Sequence, residues 1–352
     1  MNSFFSYLKN IFSPDQVKSL DHLDGFNKYD AILHNLIAEK KIPGLAVTIL
    51  KEGQIVLEKG YGYANLEEKH KVNPNKTIFR IASVSKCITG MALAKMVEEQ
   101  LVDLDTSFYD YVPYYPKKEF DFTLRQLASH TAGIRGYRGK EYAMNKPYSI
   151  KESIQVFKDD PLVFEPGKGY LYNSFDFVLL SLAMQEACGI PFEKYVKQRI
   201  LDTLGMTSTY SPELTKRAVG NLAQSYTKTT MGFKDSVPVN NFFKLAGGGY
   251  LSTSNDISKL GQAILEHKLA RPEIVKEILT SQMVNGKPTY YGLGFQVSQD
   301  HLGRDYIGHI GNSVGAYSNF FVYPKDHMVV SILINCTDPK VQEDLENIQN
   351  FI

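Results

Sequence analysis

The order of its secondary-structure signals constrains this chain more than any single motif. Strand-like runs come early, helical spacing fills the middle, and strand-like runs return before the C-terminus. Residues 25–39 repeat apolar side chains at helical spacing (Phe26, Tyr29, Ile32, Leu33, Leu36, Ile37). Pro43-Gly44 breaks that pattern. Residues 45–50, a turn at Glu52-Gly53, and residues 54–58 then predict a β-hairpin, with Gly60 to Asn65 leading out of it. Helices are predicted at 83–99, 124–129, 150–157, 175–187 and 191–204. After Leu245 a helix at 254–265, capped through Ser254 or Asn255, precedes strands at 291–297, 305–309, 316–322 and 328–335, and residues 339–352 close with a helix. This order predicts an α/β region built from both chain ends (residues 21–105 and 220–352), with a mostly helical region inserted at 106–219. Residues 1–20 are expected to form an amphipathic arm, and the active site to lie between the two regions.

The 352 residues suffice for a sizeable core, and 43% hydrophobic with 22% charged residues describes an ordinary globular chain. A net charge of +1 with no run of like charge gives no footprint for nucleic acid or an anionic membrane. No apolar run reaches transmembrane length, and Met1 to Lys9 lacks a basic region before its apolar patch, so it is a poor signal peptide. The cytoplasm is the expected location, with export by a signal removed before this numbering as the alternative. Cys87, Cys188 and Cys336 form no framework and are expected to be buried free thiols. No cluster has zinc spacing, and no phosphate-cradling glycine motif occurs.

Three stretches carry chemistry. In the predicted helix, Ser83 and Lys86 are i and i+3 and share one face. A desolvated lysine amine beside a serine can take its proton, and the helix N-terminus offers free N–H groups to an oxyanion. The S-x-x-K pattern occurs three times, however: Ser6–Lys9, Ser83–Lys86 and Ser225–Lys228. Next, Glu165-Pro166-Gly167 leads to Tyr172 just before an apolar helix. A lysine ammonium nearby favours the phenolate, which then serves as a base. Tyr172 is one of 22 tyrosines, most of which must pack or face solvent, so taken alone it reads as a packing or surface residue. Last comes Gly308-His309-Ile310-Gly311-Asn312, a strand edge whose glycines let backbone N–H groups approach a ligand, with His309 able to orient a substrate or tune a phenol. A rival sits in the same place: Gly311-Asn312-Ser313-Val314-Gly315 fits the G-x-S-x-G nucleophile elbow, which requires a helix to follow, whereas Tyr317–Val322 alternates like a strand.

Taken in order, Phe79-Arg80-Ile81-Ala82-Ser83-Val84-Ser85-Lys86, Leu124–Ile134, the Tyr172 segment, Ala246–Thr253 and Gly308–Gly311 resemble the serine β-lactamase and penicillin-binding-protein superfamily. The similarity is strongest to class C β-lactamase-like serine hydrolases and runs from about Ile42 to Asn335. It implies a β-lactamase/transpeptidase-like fold, an α+β sandwich with an antiparallel sheet flanked by helices. By the resemblance Ser83 is the nucleophile, Lys86 its base or proton relay and Tyr172 the second base. The N–H groups of Ser83 and Asn312 would form the oxyanion hole, beside Gly311. His309 stands where classical β-lactamases keep a lysine and brings only a partial positive charge near pH 7. Ser174 stands where the family's Y-x-N motif has asparagine; the Y-x-N triplets at Tyr63 and Tyr317 are out of order. Both departures weaken recognition of a penicillin-like acylamide and carboxylate. The resemblance therefore implies an esterase- or peptidase-like serine hydrolase without a cofactor, acting on a small-molecule ester, amide or peptide, with self-association into a homo-oligomer allowed. The alternatives are a D-Ala-D-Ala carboxypeptidase or β-lactamase, and a catalytically weak self-assembling scaffold.

Overall fold

The computed structural model describes residues 16–212 and 220–346. Most of the expected N-terminal arm, with Ser6–Lys9, lies outside the described residues. Of the closing helix only Gln342–Glu346 is described.

Seven strands form the main sheet: β1 (Gly44–Lys51), β2 (Gln54–Asn65), β3 (His70–Lys71), β4 (Gln296–Gln299), β5 (Asp305–Ser313), β6 (Ala316–Tyr323) and β7 (Met328–Ile334). Their spatial order is β4-β5-β6-β7-β1-β2-β3, and every neighbouring pair is antiparallel. The join between the chain ends is the β1–β7 pair, with Val47 opposite Ile332. Strands β6 and β7 are buried along their whole length because both faces of the sheet are covered. Alternation then sends residues to two separate cores. Val47, Ile49, Phe321, Tyr323, Val330 and Ile332 pack against Tyr29, Leu33 and Leu36 of helix α1 (Gly25–Ala38). Ala46, Leu50, Phe320, Val322, Val329 and Leu333 share the other core with helix α2 (Ser85–Glu98), helix α3 (Phe175–Cys188) and helix α4 (Ser254–Leu265). Each fully buried large apolar side chain contributes about 1.5–3 kcal/mol relative to exposure. Helix α4 lies close on the sheet because Gly261 faces it: a Cβ there would stand 2.4 Å from Val329.

Several boundaries differ from those the sequence predicts. Gly60 to Asn65 continue β2 instead of leaving the hairpin. The cap of α4 is Thr253, whose hydroxyl accepts from the Asp256 N–H at 3.1 Å, and neither Ser254 nor Asn255. Tyr291 to Phe295 is not strand apart from one bridge at Tyr291; β4 begins only at Gln296. A hairpin at Tyr226–Thr229 and Gly232–Asp235, and a helix at Pro272–Ile278, went unpredicted. Cys87 and Cys336 are buried free thiols, but Cys188 is only half-buried. Among the described residues no single helix is long and apolar enough to cross a membrane.

Candidate active site

A two-residue strand, Phe79–Arg80, pairs with Leu251–Ser252 and feeds a single 3-10 turn, Ala82–Val84, at the head of α2. Ala82 sits at φ +46°, in the left-handed region, which costs an L-residue roughly 1–2 kcal/mol. Its surroundings hold it there: the Ile81 N–H donates to Tyr250 O (3.2 Å) and Ser318 Oγ donates to Ile81 O (2.8 Å). The same tension places Ser83 at the helix entrance. Gly311 of β5 abuts this turn, and a Cβ there would lie 2.3 Å from Ser318 Oγ and 3.0 Å from the Ser83 nitrogen. Glycine is what lets the β5 edge, with Asn312 after it, come alongside the Ser83 turn.

Lys86, the second residue of α2, is fully buried. Its Nζ donates to Gly247 O (2.7 Å) and Tyr172 Oη (2.9 Å), with Ser83 Oγ at 3.4 Å, and no carboxylate within 4 Å neutralises it among the described residues. Burial pushes this amine down to about 7, with the charge on Lys244 acting in the same direction. Tyr172 completes the triangle, donating to Ser83 Oγ at 2.7 Å. Its ring is 40% exposed, yet the protein closes round its oxygen and pushes the phenol well above its ordinary value. That corrects the sequence-based view of Tyr172: the resting group is a phenol and not a phenolate, and Lys86 is the member of the pair that titrates near neutrality.

His309 also differs from expectation. It is buried, and burial followed by the charge of Lys86 pushes it down to about 3. A neutral ring remains, in contact with Ile310 O through Nδ1 (2.7 Å) and with the Tyr291 hydroxyl through Nε2 (3.0 Å). The expected partial positive charge is therefore absent. Ser174 lies on the cleft wall beside Tyr137. The neighbouring amide, Asn173, points inward, donating to Ile134 O (3.1 Å), Leu171 O (2.9 Å) and Asp176 Oδ2 (2.6 Å).

The cleft holding Ser83 measures about 80 Å³ and is walled by Tyr137, Tyr142, Ser174, Lys244, Gly248 and Asn312. A larger cavity of about 830 Å³ lies past the Phe79–Arg80 strand, with Arg80 and residues 236–242 in its wall. Ser83 lines the smaller cleft and not this larger cavity. Residues 236–242 thus border this second cavity, whereas the segment 133–149 supplies Tyr137 and Tyr142 to the Ser83 cleft. Arg135 anchors that segment through Asp160 Oδ2 (2.6 Å) and Glu141 Oε2 (2.7 Å).

Three further groups of the site escaped the sequence. His130 and Asp176 are buried together, Nδ1 to Oδ2 2.8 Å, and the His130 ring lies 4.7 Å from that of Tyr172. Burial pushes His130 well down and Asp176 well up, toward uncharged forms that share one proton. Lys244 lines the cleft itself. Their only signal was position: His130 lies within Leu124–Ile134, Asp176 four residues after Tyr172, and Lys244 just before Ala246–Thr253. The rival serines fare differently. Ser225 and Lys228 fall at and within a strand, where an i, i+3 pair points to opposite faces, and Lys228 is exposed. Ser313 ends β5, and strand β6, not a helix, follows. Among the described residues no group of three or more His, Cys, Asp or Glu side chains is placed to hold a metal.

Three solved or curated proteins show what this arrangement is similar to. Human mitochondrial serine beta-lactamase-like protein LACTB is 28% identical over 84% of this chain and 71% of its own length. The octameric penicillin-binding protein homologue from Pyrococcus abyssi superposes with a TM-score of 0.79 and 27% identity, covering 89% of this chain and 74% of that one. The D-amino acid amidase from Ochrobactrum anthropi has the same fold at a TM-score of 0.79 and 20% identity, over 91% and 96% of the two chains. The family model described as Beta-lactamase matches residues 29–351, and the chain belongs to that family.

Proposed function

We propose that the chain is a serine hydrolase that forms an acyl-enzyme on Ser83 and cleaves an ester or amide. The observation that carries the reading is the Ser83–Tyr172–Lys86 triangle, with 2.7 Å and 2.9 Å contacts meeting at the Tyr172 oxygen. Hydroxyl protons can turn, so the chain of hydrogen bonds runs in either direction. With Lys86 as free amine, Ser83 Oγ–H donates to Tyr172, and the Tyr172 proton passes to Nζ as Oγ bonds the carbonyl carbon. The N–H groups of Ser83 and Asn312 are the proposed donors to the oxyanion. Collapse breaks the C–O or C–N bond, and the leaving group takes the proton from Lys86. Water then loses a proton to the same pair as it attacks the acyl carbon, and Ser83 departs with its proton restored.

An uncharged His309 and the absence of an asparagine amide at Ser174 favour esterase- or amidase-like turnover over penicillin recognition. The test is hydrolysis of a p-nitrophenyl ester and of benzylpenicillin by wild type, Ser83→Ala and Ser313→Ala. Ester turnover lost only in Ser83→Ala, with the penicillin recovered intact, is the expected result. Loss in Ser313→Ala with retention in Ser83→Ala would move the nucleophile to the β5–β6 turn. Rapid penicillin hydrolysis would make the chain a β-lactamase.

A further inference from the structure

Lys244 ends the short turn Phe242–Lys244, just before the segment whose Gly247 carbonyl holds Lys86. It is 5% exposed. Its Nζ donates to Tyr142 O at 2.8 Å and lies 5.3 Å from the centre of the Tyr137 ring. An ammonium carries three donors, and no carboxylate lies within 4 Å of this one among the described residues. The nearest cations only add to the excess. Arg80 donates through Nη1 to Val314 O (2.9 Å) and, like Lys86, has no carboxylate partner among the described residues. Of the side chains lining the Ser83 cleft, Lys244 is the one that carries a charge. Burying an ammonium without a counter-ion costs several kcal/mol, so an anion entering the cleft is strongly favoured. Lys244 is pushed down by burial and by Arg80, but only to about 8, so it is mostly charged at neutral pH.

We infer that Lys244 is the anion-recognition group of the cleft, and that the substrate is an ester or amide carrying a carboxylate which docks on Nζ while its scissile carbonyl lies over Ser83. The inference rests on the serine-hydrolase reading for the position of that carbonyl. His309 is neutral and cannot supply the charge, so the role passes to Lys244. A purely structural role, holding the Tyr142 carbonyl, is the competing account, and Lys244→Gln separates the two because glutamine keeps an N–H donor and loses the charge.

The experiment measures binding without turnover. In the Ser83→Ala protein, monomethyl glutarate and dimethyl glutarate are titrated by calorimetry. The monoester is expected to bind about tenfold or more tightly, as a charge-assisted contact in a buried site implies. Lys244→Gln in the same background should erase the preference with the melting temperature kept, and Lys244→Arg should retain most of it. Equal affinity for the two esters, no binding of the monoester at millimolar concentration, or an unchanged preference in Lys244→Gln each overturns the inference. Covalent labelling of Ser83 in the wild-type protein reads the hydrolase reading separately, so failure of one is not failure of the other.

Discussion

At the scale of single residues, Lys86 sets the behaviour with pH. In the proposed mechanism only its free amine accepts the serine proton, and the amine is held at about 7. For a neutral ester, kcat/KM should therefore rise about tenfold per pH unit below neutrality and level off above it. A flat profile between about pH 5 and 9 contradicts the assignment. The same depression bears on stability. Between about 7 and the ordinary lysine value of 10.5 the unfolded chain binds a proton that folded Lys86 does not, so Lys86 lowers stability at neutral pH and stability rises through that window as pH increases. Lys86→Met should abolish turnover and raise stability by about 1–4 kcal/mol at pH 7, a gain that shrinks toward pH 10. Thermal melts at the two pH values check both parts. Tyr172→Phe should lower kcat by about 10²–10⁴-fold with little change in melting temperature, since it removes the relay and not the fold.

Among elements, the proposed mechanism depends most on the approach of β5 to the Ser83 turn. Gly311→Ala places a methyl 2.8 Å from Ile81 O and 3.0 Å from the Ser83 nitrogen, so the strand edge or the turn must shift. Steady-state kinetics should show kcat lowered about 10²–10³-fold with KM changed far less, as when an oxyanion donor is misplaced. A kcat unchanged by Gly311→Ala would remove β5 from the reaction. The sequence revealed most of these elements because their pattern is local: the apolar spacing of α1, the alternation at Tyr317–Val322 and the apolar run of β7 are visible in ten residues. It missed what depends on distant partners. β2 runs on to Asn65 because β3 and β1 supply ladder partners there, and Tyr291–Phe295 is apolar because it packs over α2 and His309, not because it pairs in the sheet. Site residues divide along the same line. Ser83 and Lys86 are one turn apart and legible, whereas Lys244 lies far along the chain from Lys86, and only folding brings their charges together.

Across the whole molecule, one hydrophobic core joins Ala46 and Leu333 of the sheet to Leu127, Phe177 and Leu201 of the helical middle. The sheet keeps a second core against α1, but the helical middle packs wholly into the shared one, so unfolding should be a single transition. The chain has no tryptophan, which leaves tyrosine fluorescence and far-UV circular dichroism as the two probes. Coincident urea curves are the expected result; separated midpoints would mean that residues 106–219 fold as a unit. Leu333→Ala, at the shared core, should shift both curves together by about 2–5 kcal/mol.

The most direct test of the account is intact mass with peptide mapping after exposure to a fluorophosphonate. The account predicts one phosphonyl adduct, on the peptide containing Ser83, absent in Ser83→Ala and slowed in Tyr172→Phe. An adduct on Ser313 or Ser225, or none at all in a folded protein, would contradict it.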